Sequence, residues 1–244
     1  MKNEETAYAT PVSCRDCRMS TICIPLSLRS DELYKLDQVI QRGNPYQART
    51  SIFYCGDKFT SVYAVRSGSV KSYCIDNEGR EQVTGFYLPG EIFGWDGLAD
   101  NYYQNTAVAM ETTSICEIPY GQLELLSSTI PSIQKHVTKL LSKEINSDQK
   151  LIALLAGNSA HQRLASLLLS ISARLAQQKL SSTRFRLPMS RGEISNYLGM
   201  TVETVSRAFS HFQRKKYLKV NKKEIELIDK HALQQLISNP EAGQ

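Results

Sequence analysis

Residues 190–220 read SRGEISNYLGMTVETVSRAFSHFQRKKYLKV. Ser190 followed three residues later by Glu193 is a capping box, so a helix starts there. Ile194 and Leu198 face inward on it, and Gly199 ends it and permits a sharp turn. Thr201 caps a second helix that runs to about Lys215 or Lys216. On that helix Val202, Val205, Phe209 and Phe212 recur at i, i+3, i+7 and i+10, a stripe expected to be buried. Glu203, Ser206 and Arg207 fall at i, i+3 and i+4 on another face. Two helices joined by a short glycine turn predict a helix-turn-helix, whose second helix enters the DNA major groove N-terminus first.

The groove-facing chemistry agrees. Arginine donates two hydrogen bonds to guanine O6 and N7, glutamate accepts from cytosine N4, and serine is small enough to let the helix approach the bases. Arg214, Lys215, Lys216, Lys219, Lys222 and Lys223 follow at once, suited to phosphates beside the helix end and a closing hairpin that acts as a wing. Thr201, Arg191 and Arg214 complete the expected DNA-facing set.

Working outward, charge follows the same division. The 244 residues carry a net charge of +5, with 41% apolar and 22% charged residues. Residues 160–244 hold 14 Lys and Arg against 6 Asp and Glu, whereas the remainder hold 15 against 18. A basic C-terminal third beside a slightly acidic remainder suits a polyanion partner for the former. No apolar run approaches the roughly 20 residues of a membrane helix. The N-terminus lacks a basic start and an apolar core, so a cytoplasmic location without membrane association is expected. The composition is that of a globular chain of one or two domains, neither collagen-like nor disordered.

Upstream of the basic third, residues 132–155 read as one long helix with the apolar stripe Ile133, Val137, Leu140, Leu141, Ile145, Ile152 and Leu155. A helix that long between two domains is expected to pair with a symmetry mate. Asp148 stands near the centre of the stripe, with Glu144 one turn before it. Two such acids facing each other at ~5 Å and an effective dielectric near 20 repel by about 3 kcal/mol, which makes the seam a weak dimeriser open to control. Residues 160–178 form a further helix and 184–187 a short strand.

Between residues 45 and 119 the pattern changes to short β-rich runs: SIFYC, SVYAVRSG, SVKSYCI, EQVTGFYL and AVAMETTSICEI. Turn signals separate them, and this spacing predicts a small antiparallel barrel or roll. Residues 30–42 read as a short helix capped by Ser30, with Leu33, Leu36, Val39 and Ile40 on one face. The fold class is therefore α+β.

Cys14, Cys17 and Cys23 crowd into ten residues with little else to pack. Thiolates at this spacing converge on a metal centre from a loop, and a fourth ligand must come from elsewhere; Cys55, Cys74 and Cys116 are the candidates. Tetrahedral zinc and an iron–sulfur cluster both satisfy the donor chemistry. The four histidines, His136, His161, His211 and His231, are dispersed and no nucleophile–base pairing is visible, so an enzyme is not expected.

The stretches CRDCRMSTIC (14–23), YAVRSG (63–68), EQVTGF (81–86), TTSICEIP (112–119) and YLGMTVETVSR (197–207) together resemble the FNR family of oxygen-responsive transcription regulators, within the cAMP receptor protein superfamily. The resemblance covers nearly the whole chain. It implies a cysteine segment at 1–29, a cyclic-nucleotide-binding-type β-roll (cupin-like) at 30–131, a dimerisation helix at 132–156 and a winged helix-turn-helix at 157–244. It further implies a [4Fe–4S] cluster on Cys14, Cys17, Cys23 and Cys116, leaving Cys55 and Cys74 as buried thiols. The family's Glu-x-x-Ser-Arg recognition motif falls on Glu203, Ser206 and Arg207, implying double-stranded DNA with palindromic half-sites like TTGAT. Its dimer switch falls on Glu144, Ile145 and Asp148, implying a homodimer when the cluster is loaded and a monomer in air. RNA polymerase is the implied partner, with Arg80 on a contacting hairpin. Two alternatives stand beside this reading: a zinc-containing regulator indifferent to oxygen, and a cyclic-nucleotide-responsive regulator. The second is disfavoured because GEIFGWDGLADNYYQNTAVA (90–109) offers Trp95-Asp96 and Gln104-Asn105-Thr106 where that superfamily keeps a glutamate and an Arg-Ser pair.

Overall fold

A computed structural model describes residues 13–20, 23–24 and 28–238. Parts of the cysteine segment and the last six residues of the expected terminal domain lie outside these. The roll is built from β1 (Ser51–Phe53), β2 (Ser61–Ser67), β3 (Val70–Ile75), β4 (Glu81–Tyr87), β5 (Ile92–Phe93), β6 (Thr106–Ala109) and β7 (Ser114–Pro119). They form two antiparallel sheets, in the orders β1-β6-β3-β4 and β5-β2-β7. The run AVAMETTSICEI is two strands, β6 and β7, because the chain turns at 110–113 between them. Gly68 turns β2 into β3 at φ +80, and a Cβ there would meet the Thr113 hydroxyl oxygen at 2.5 Å. Only glycine fits that turn.

Stacked aromatic rings fill the space between the sheets. Phe53 lies 3.8 Å from Tyr103 and 5.4 Å from Tyr63, centroid to centroid, and Phe93 sits 5.5 Å from Tyr63. The buried Tyr103 hydroxyl donates to the Ser61 carbonyl at 2.7 Å, so the ring keeps its polar end satisfied inside the core.

Helix α1 (Ser30–Val39) packs its Leu36 fully into the roll core. It begins one residue earlier than expected at its cap, since Arg29 rather than Ser30 holds that position, and Glu32 accepts from the Arg29 N–H at 2.9 Å. It also stops short of Arg42, because Gln41 leaves the helix to pair with Glu117 beside β7. Helix α2 (Tyr120–Thr129) leads into α3 (Pro131–Gly157), a 27-residue helix with proline in its first turn, where the missing N–H costs nothing.

The C-terminal part comprises α4 (Ala160–Gln177), β8 (Arg184–Arg186), α5 (Arg191–Tyr197), α6 (Val202–Arg214), β9 (Leu218–Asn221), β10 (Glu224–Leu227) and α7 (Lys230–Ser238). The three strands form an antiparallel sheet in the order β8-β10-β9. The sequence reading omitted α7; Asp229, whose carboxylate accepts from the Ala232 N–H at 2.8 Å, and Leu233, Leu236 and Ile237 behind it are its local signals. The core of this part contains Leu164, Leu168, Ile171, Phe185, Ile194, Leu198, Phe209 and Phe212, and it also takes in Val83, Phe86 and Leu88 from the roll. The α+β class and the roll, long helix and winged helix-turn-helix order agree with the sequence reading.

Candidate functional site

Strand pairing positions the cysteine site. In β7 side chains alternate, so Cys116 and Ile118 share one face, and Cys116 lies opposite Ala64 of β2. The segment carrying Cys14, Cys17 and Cys23 covers that face. All four thiols, Cys14, Cys17, Cys23 and Cys116, line one pocket, together with Met19, Ile40, Ala64, Arg66 and Ile118. Cys55 does not take part: it is exposed in the turn after β1, and Cys74 is half-buried on β3, donating toward the Gln82 carbonyl at 3.8 Å. The expectation that both are buried thiols is therefore corrected. A turn residue has no second layer over it, and Cys74, although on the strand face of Val70 and Ser72, stands one residue before the exposed end of β3, where little covers it.

Burial pushes the Cys23 thiol up to about 12 and raises Cys14 and Cys116 as well. Arg42 opposes burial at two of them. Its Nη2 donates to Cys14 Sγ at 3.2 Å and to the Asp37 carboxylate, and its charge also acts on Cys116. Asp37 in turn accepts the Cys14 N–H at 2.8 Å. Among the described residues, no three His, Cys, Asp or Glu side chains converge within reach of one metal ion. The thiols instead ring a wider, mainly apolar pocket. The donor set fits an iron–sulfur core: four sulfurs, an apolar lining, and a buried Arg42 Nε with no acceptor among the described residues.

The expected cyclic-nucleotide positions are occupied internally. The Asp96 carboxylate accepts from the Gln104 N–H at 3.0 Å, the Asn105 N–H at 2.9 Å and the Asn105 side-chain amide at 2.9 Å. Thr106 Oγ1 accepts from the Cys55 N–H at 3.0 Å. A carboxylate oxygen that accepts three bonds in this way is a structural tie across the turn.

The helix-turn-helix has the predicted caps. Ser190 Oγ accepts from the Glu193 N–H at 3.1 Å, and the Glu193 carboxylate accepts from the Ser190 N–H at 2.7 Å. Gly199 turns between the helices at φ +59, and Thr201 accepts from the Thr204 N–H at 3.2 Å. On α6 the buried stripe is Val205, Ala208, Phe209 and Phe212. Val202, expected in that stripe, is 43% exposed, since it opens the helix where α6 projects past the core. Glu203, Ser206 and Arg207 are exposed side by side, and Arg214, Lys215, Lys216, Lys219, Lys222 and Lys223 are exposed around the helix end and the wing. Arg191 sits differently: its guanidinium lies 3.2 Å from the Phe209 ring centroid, and burial lowers its pKa to about 10.

Helix α3 has two faces. Ile133 is fully buried, and Val137, Leu140 and Leu141 pack on the roll of the same chain, so the N-terminal half of the expected seam is an internal contact. Beyond Glu144 the helix leaves the roll. Ile145 and Ile152 are 58% and 66% exposed, with Asp148 exposed between them on the same face. Glu144 turns back to the roll and accepts from the Tyr87 hydroxyl at 3.1 Å, so it does not share the bare face.

These features define a class: a roll of cyclic-nucleotide-binding type joined through a long helix to a winged helix-turn-helix, the build of a DNA-binding transcription regulator rather than an enzyme. Comparison with known proteins says the same. The profile of the Crp-like helix-turn-helix domain matches residues 162–236, and that of the cyclic nucleotide-binding domain matches residues 44–129. Electron transport regulator A of Shewanella oneidensis is 42% identical over 98% of this chain and 96% of its own length. The fumarate and nitrate reduction regulatory protein of Escherichia coli K12 is 43% identical over 92% of this chain and 90% of its own. The structure of FixK2 from Bradyrhizobium japonicum superposes with a TM-score of 0.73 at 29% identity, covering 81% of this chain and 97% of that one. The chain belongs to the CRP/FNR superfamily of transcription regulators, as an FNR-type member. No helix among the described residues is long and apolar enough to cross a membrane.

Proposed function

We propose that this chain is an oxygen-responsive regulator that holds a [4Fe–4S] cluster on Cys14, Cys17, Cys23 and Cys116. The observation carrying the reading is that three cysteines of the N-terminal segment and one of β7 line a single pocket, while Cys55 and Cys74 stand apart from it. When bound, such a cluster supplies an oxygen-labile crosslink between the segment and the roll.

The chain's own residues transmit that state. The cysteine segment and α1 cover the outer face of β2 and β7, and the buried Leu36, Ile118 and Ile133 belong to one core with them. A segment held on the roll therefore stiffens the support on which α3 rests. The bare face of Ile145, Asp148 and Ile152 then meets its copy. Asp148 opposes that contact, and a shift of about 3 kcal/mol in the seam changes the dimerisation constant roughly 150-fold. A dimer presents two α6 helices about one DNA turn, ~34 Å, apart, and Glu203, Ser206 and Arg207 read TTGAT-like half-sites of a palindrome. Roll and C-terminal surfaces, including the Arg80 hairpin, serve as contacts for RNA polymerase. The domain division at 1–29, 30–131, 132–156 and 157–244 and a cytoplasmic location belong to the same proposal.

The test is anaerobic purification with iron and sulfide analysis, followed by operator binding before and after aeration. Iron and sulfide with binding lost in air support the reading. Zinc instead, or binding indifferent to air, overturns it. Cyclic-nucleotide titration separates the remaining alternative, which Asp96's internal hydrogen bonds disfavour.

A further inference from the structure

We propose that Arg42, steered by Asp37, is a positioning residue for the thiol pocket: its guanidinium, hydrogen-bonded to the Cys14 sulfur, orients that ligand and sets a fixed positive charge beside it. The inference rests on the cysteine reading given under Proposed function.

The backbone delivers Arg42 to this place. After α1 ends at Val39, Gln41 donates to the Glu117 carbonyl at 2.8 Å and Glu117 donates back to the Gln41 carbonyl at 2.9 Å. This bridge lies next to Cys116 in sequence and sets Arg42 at the edge of the pocket. Asp37, on the last turn of α1, then fixes the side chain. Its carboxylate binds the guanidinium and the Cys14 N–H together, so one acid orients both the cation and the backbone of a ligand. Arg42 is well buried, with its side chain only 12% exposed.

Its donors are unevenly used. Nη2 reaches Cys14 Sγ at 3.2 Å and the Asp37 carboxylate, and Nη1 makes a long contact with the Ile40 carbonyl at 3.4 Å. Nε is buried with no acceptor among the described residues. A buried guanidinium N–H is costly to leave unpaired. Arginine suits the role because its charge persists when buried and its planar fork serves several acceptors at once. Arg66, by contrast, lines the pocket and acts on Cys116 by charge alone. Groups placed just behind metal ligands orient them and tune the centre, and their removal typically weakens metal retention about 10- to 100-fold.

The test compares the full chain with its Arg42→Gln and Arg42→Lys variants, each reconstituted under nitrogen with ferrous iron and sulfide. Three quantities are read: iron and sulfide per chain, rate of loss of visible absorbance to a chelator under nitrogen, and midpoint potential. Arg42→Gln is expected to lose iron about tenfold faster and to shift the potential negative, because removing a nearby cation disfavours the added electron. Arg42→Lys keeps the charge but not the fork; it is expected to recover the potential while still losing iron faster. The iron-free Arg42→Gln chain should unfold at a lower temperature, because Asp37 loses its partner, so loss rate and potential are compared at a temperature where every iron-free chain is folded. Loaded wild type with an Arg42→Gln variant unchanged in loss rate and potential overturns the Arg42 assignment alone. So does an Arg42→Lys variant whose potential is as displaced as that of Arg42→Gln, since packing rather than charge would then be at work. Wild type that takes up no iron and sulfide overturns the cysteine reading itself, and the inference with it.

Discussion

Glu144 shows how one residue's environment departs from its sequence context. Burial, set partly against the Tyr87 hydroxyl it accepts from, raises its carboxyl to about 7, with Asp148 and Glu91 adding to the effect. The folded state therefore holds this proton more tightly than the unfolded state does. The resulting contribution to stability is present at and below the ordinary carboxylate range and fades as pH rises through about 7. Urea unfolding is expected to show lower stability at pH 8 than at pH 5.5. Glu144→Gln should flatten that dependence and raise stability at pH 8 by up to about 3 kcal/mol. An unchanged pH slope in the variant would show that Glu144 is solvated. On α6, Arg207 is exposed and makes only a long contact with Thr204 Oγ1 at 3.4 Å, so it is available to a base. Arg207→Ala is expected to relax preference at one half-site guanine by about 1–3 kcal/mol, read in a binding selection. Neither residue's surroundings were legible locally: periodicity says that Glu144 lies near a stripe, not which neighbour it meets.

At the scale of elements, β4 and α5 form a latch between roll and DNA-binding part. Asn196 of α5 accepts from the Val83 N–H and donates to the Glu81 carbonyl, while the Gln82 amide donates to the Asn196 carbonyl at 3.0 Å. Phe86 and Tyr197 meet edge to face at 5.0 Å. Lys71 of β3 pairs with Glu193 at 3.4 Å. Behind them Arg174 of α4 donates to both carboxylate oxygens of Glu91, through Nε at 2.7 Å, and to the Phe86 carbonyl. Removing one member of such a half-buried pair leaves the other uncompensated. Arg174→Ala is expected to destabilise the chain by about 3–5 kcal/mol, measured by denaturant unfolding. A loss under about 1 kcal/mol would mean that the pair is effectively solvated. Sequence patterning identified α4, α5 and β4 separately, each by its own period and caps. Their docking joins residues more than eighty positions apart, and no local signal carries that.

For the whole molecule, the bare segment of α3 is the element that the proposed function makes the link between sensing and DNA reading. Asp148 is exposed between Ile145 and Ile152, so its charge weighs against association and its removal should favour it. Asp148→Ala is expected to sediment as a dimer in air and to bind a palindromic operator without iron. A monomer would discard the repulsive seam. At the other end of the path, Cys23→Ser should abolish anaerobic iron uptake and the response of DNA binding to air. A variant that keeps both would remove Cys23 from the ligand set.

The amino-acid sequence by itself determined the helix-turn-helix, the basic wing, the run of short strands, the long helix and the crowded cysteines. Those features rest on caps, turns and periodicities that act over a few residues. Spacing left Cys55, Cys74 and Cys116 open as the fourth thiol and the family resemblance pointed to Cys116; the tertiary structure sets Cys116, and neither of the others, against the N-terminal thiols. It likewise decided that Glu144 turns inward while Asp148 stays bare, and that Arg42 and Asp37 stand behind the cysteines. Each of these depends on which strand pairs with which and which helix covers which face, and such pairings are set by burial over the whole core rather than by spacing along the chain.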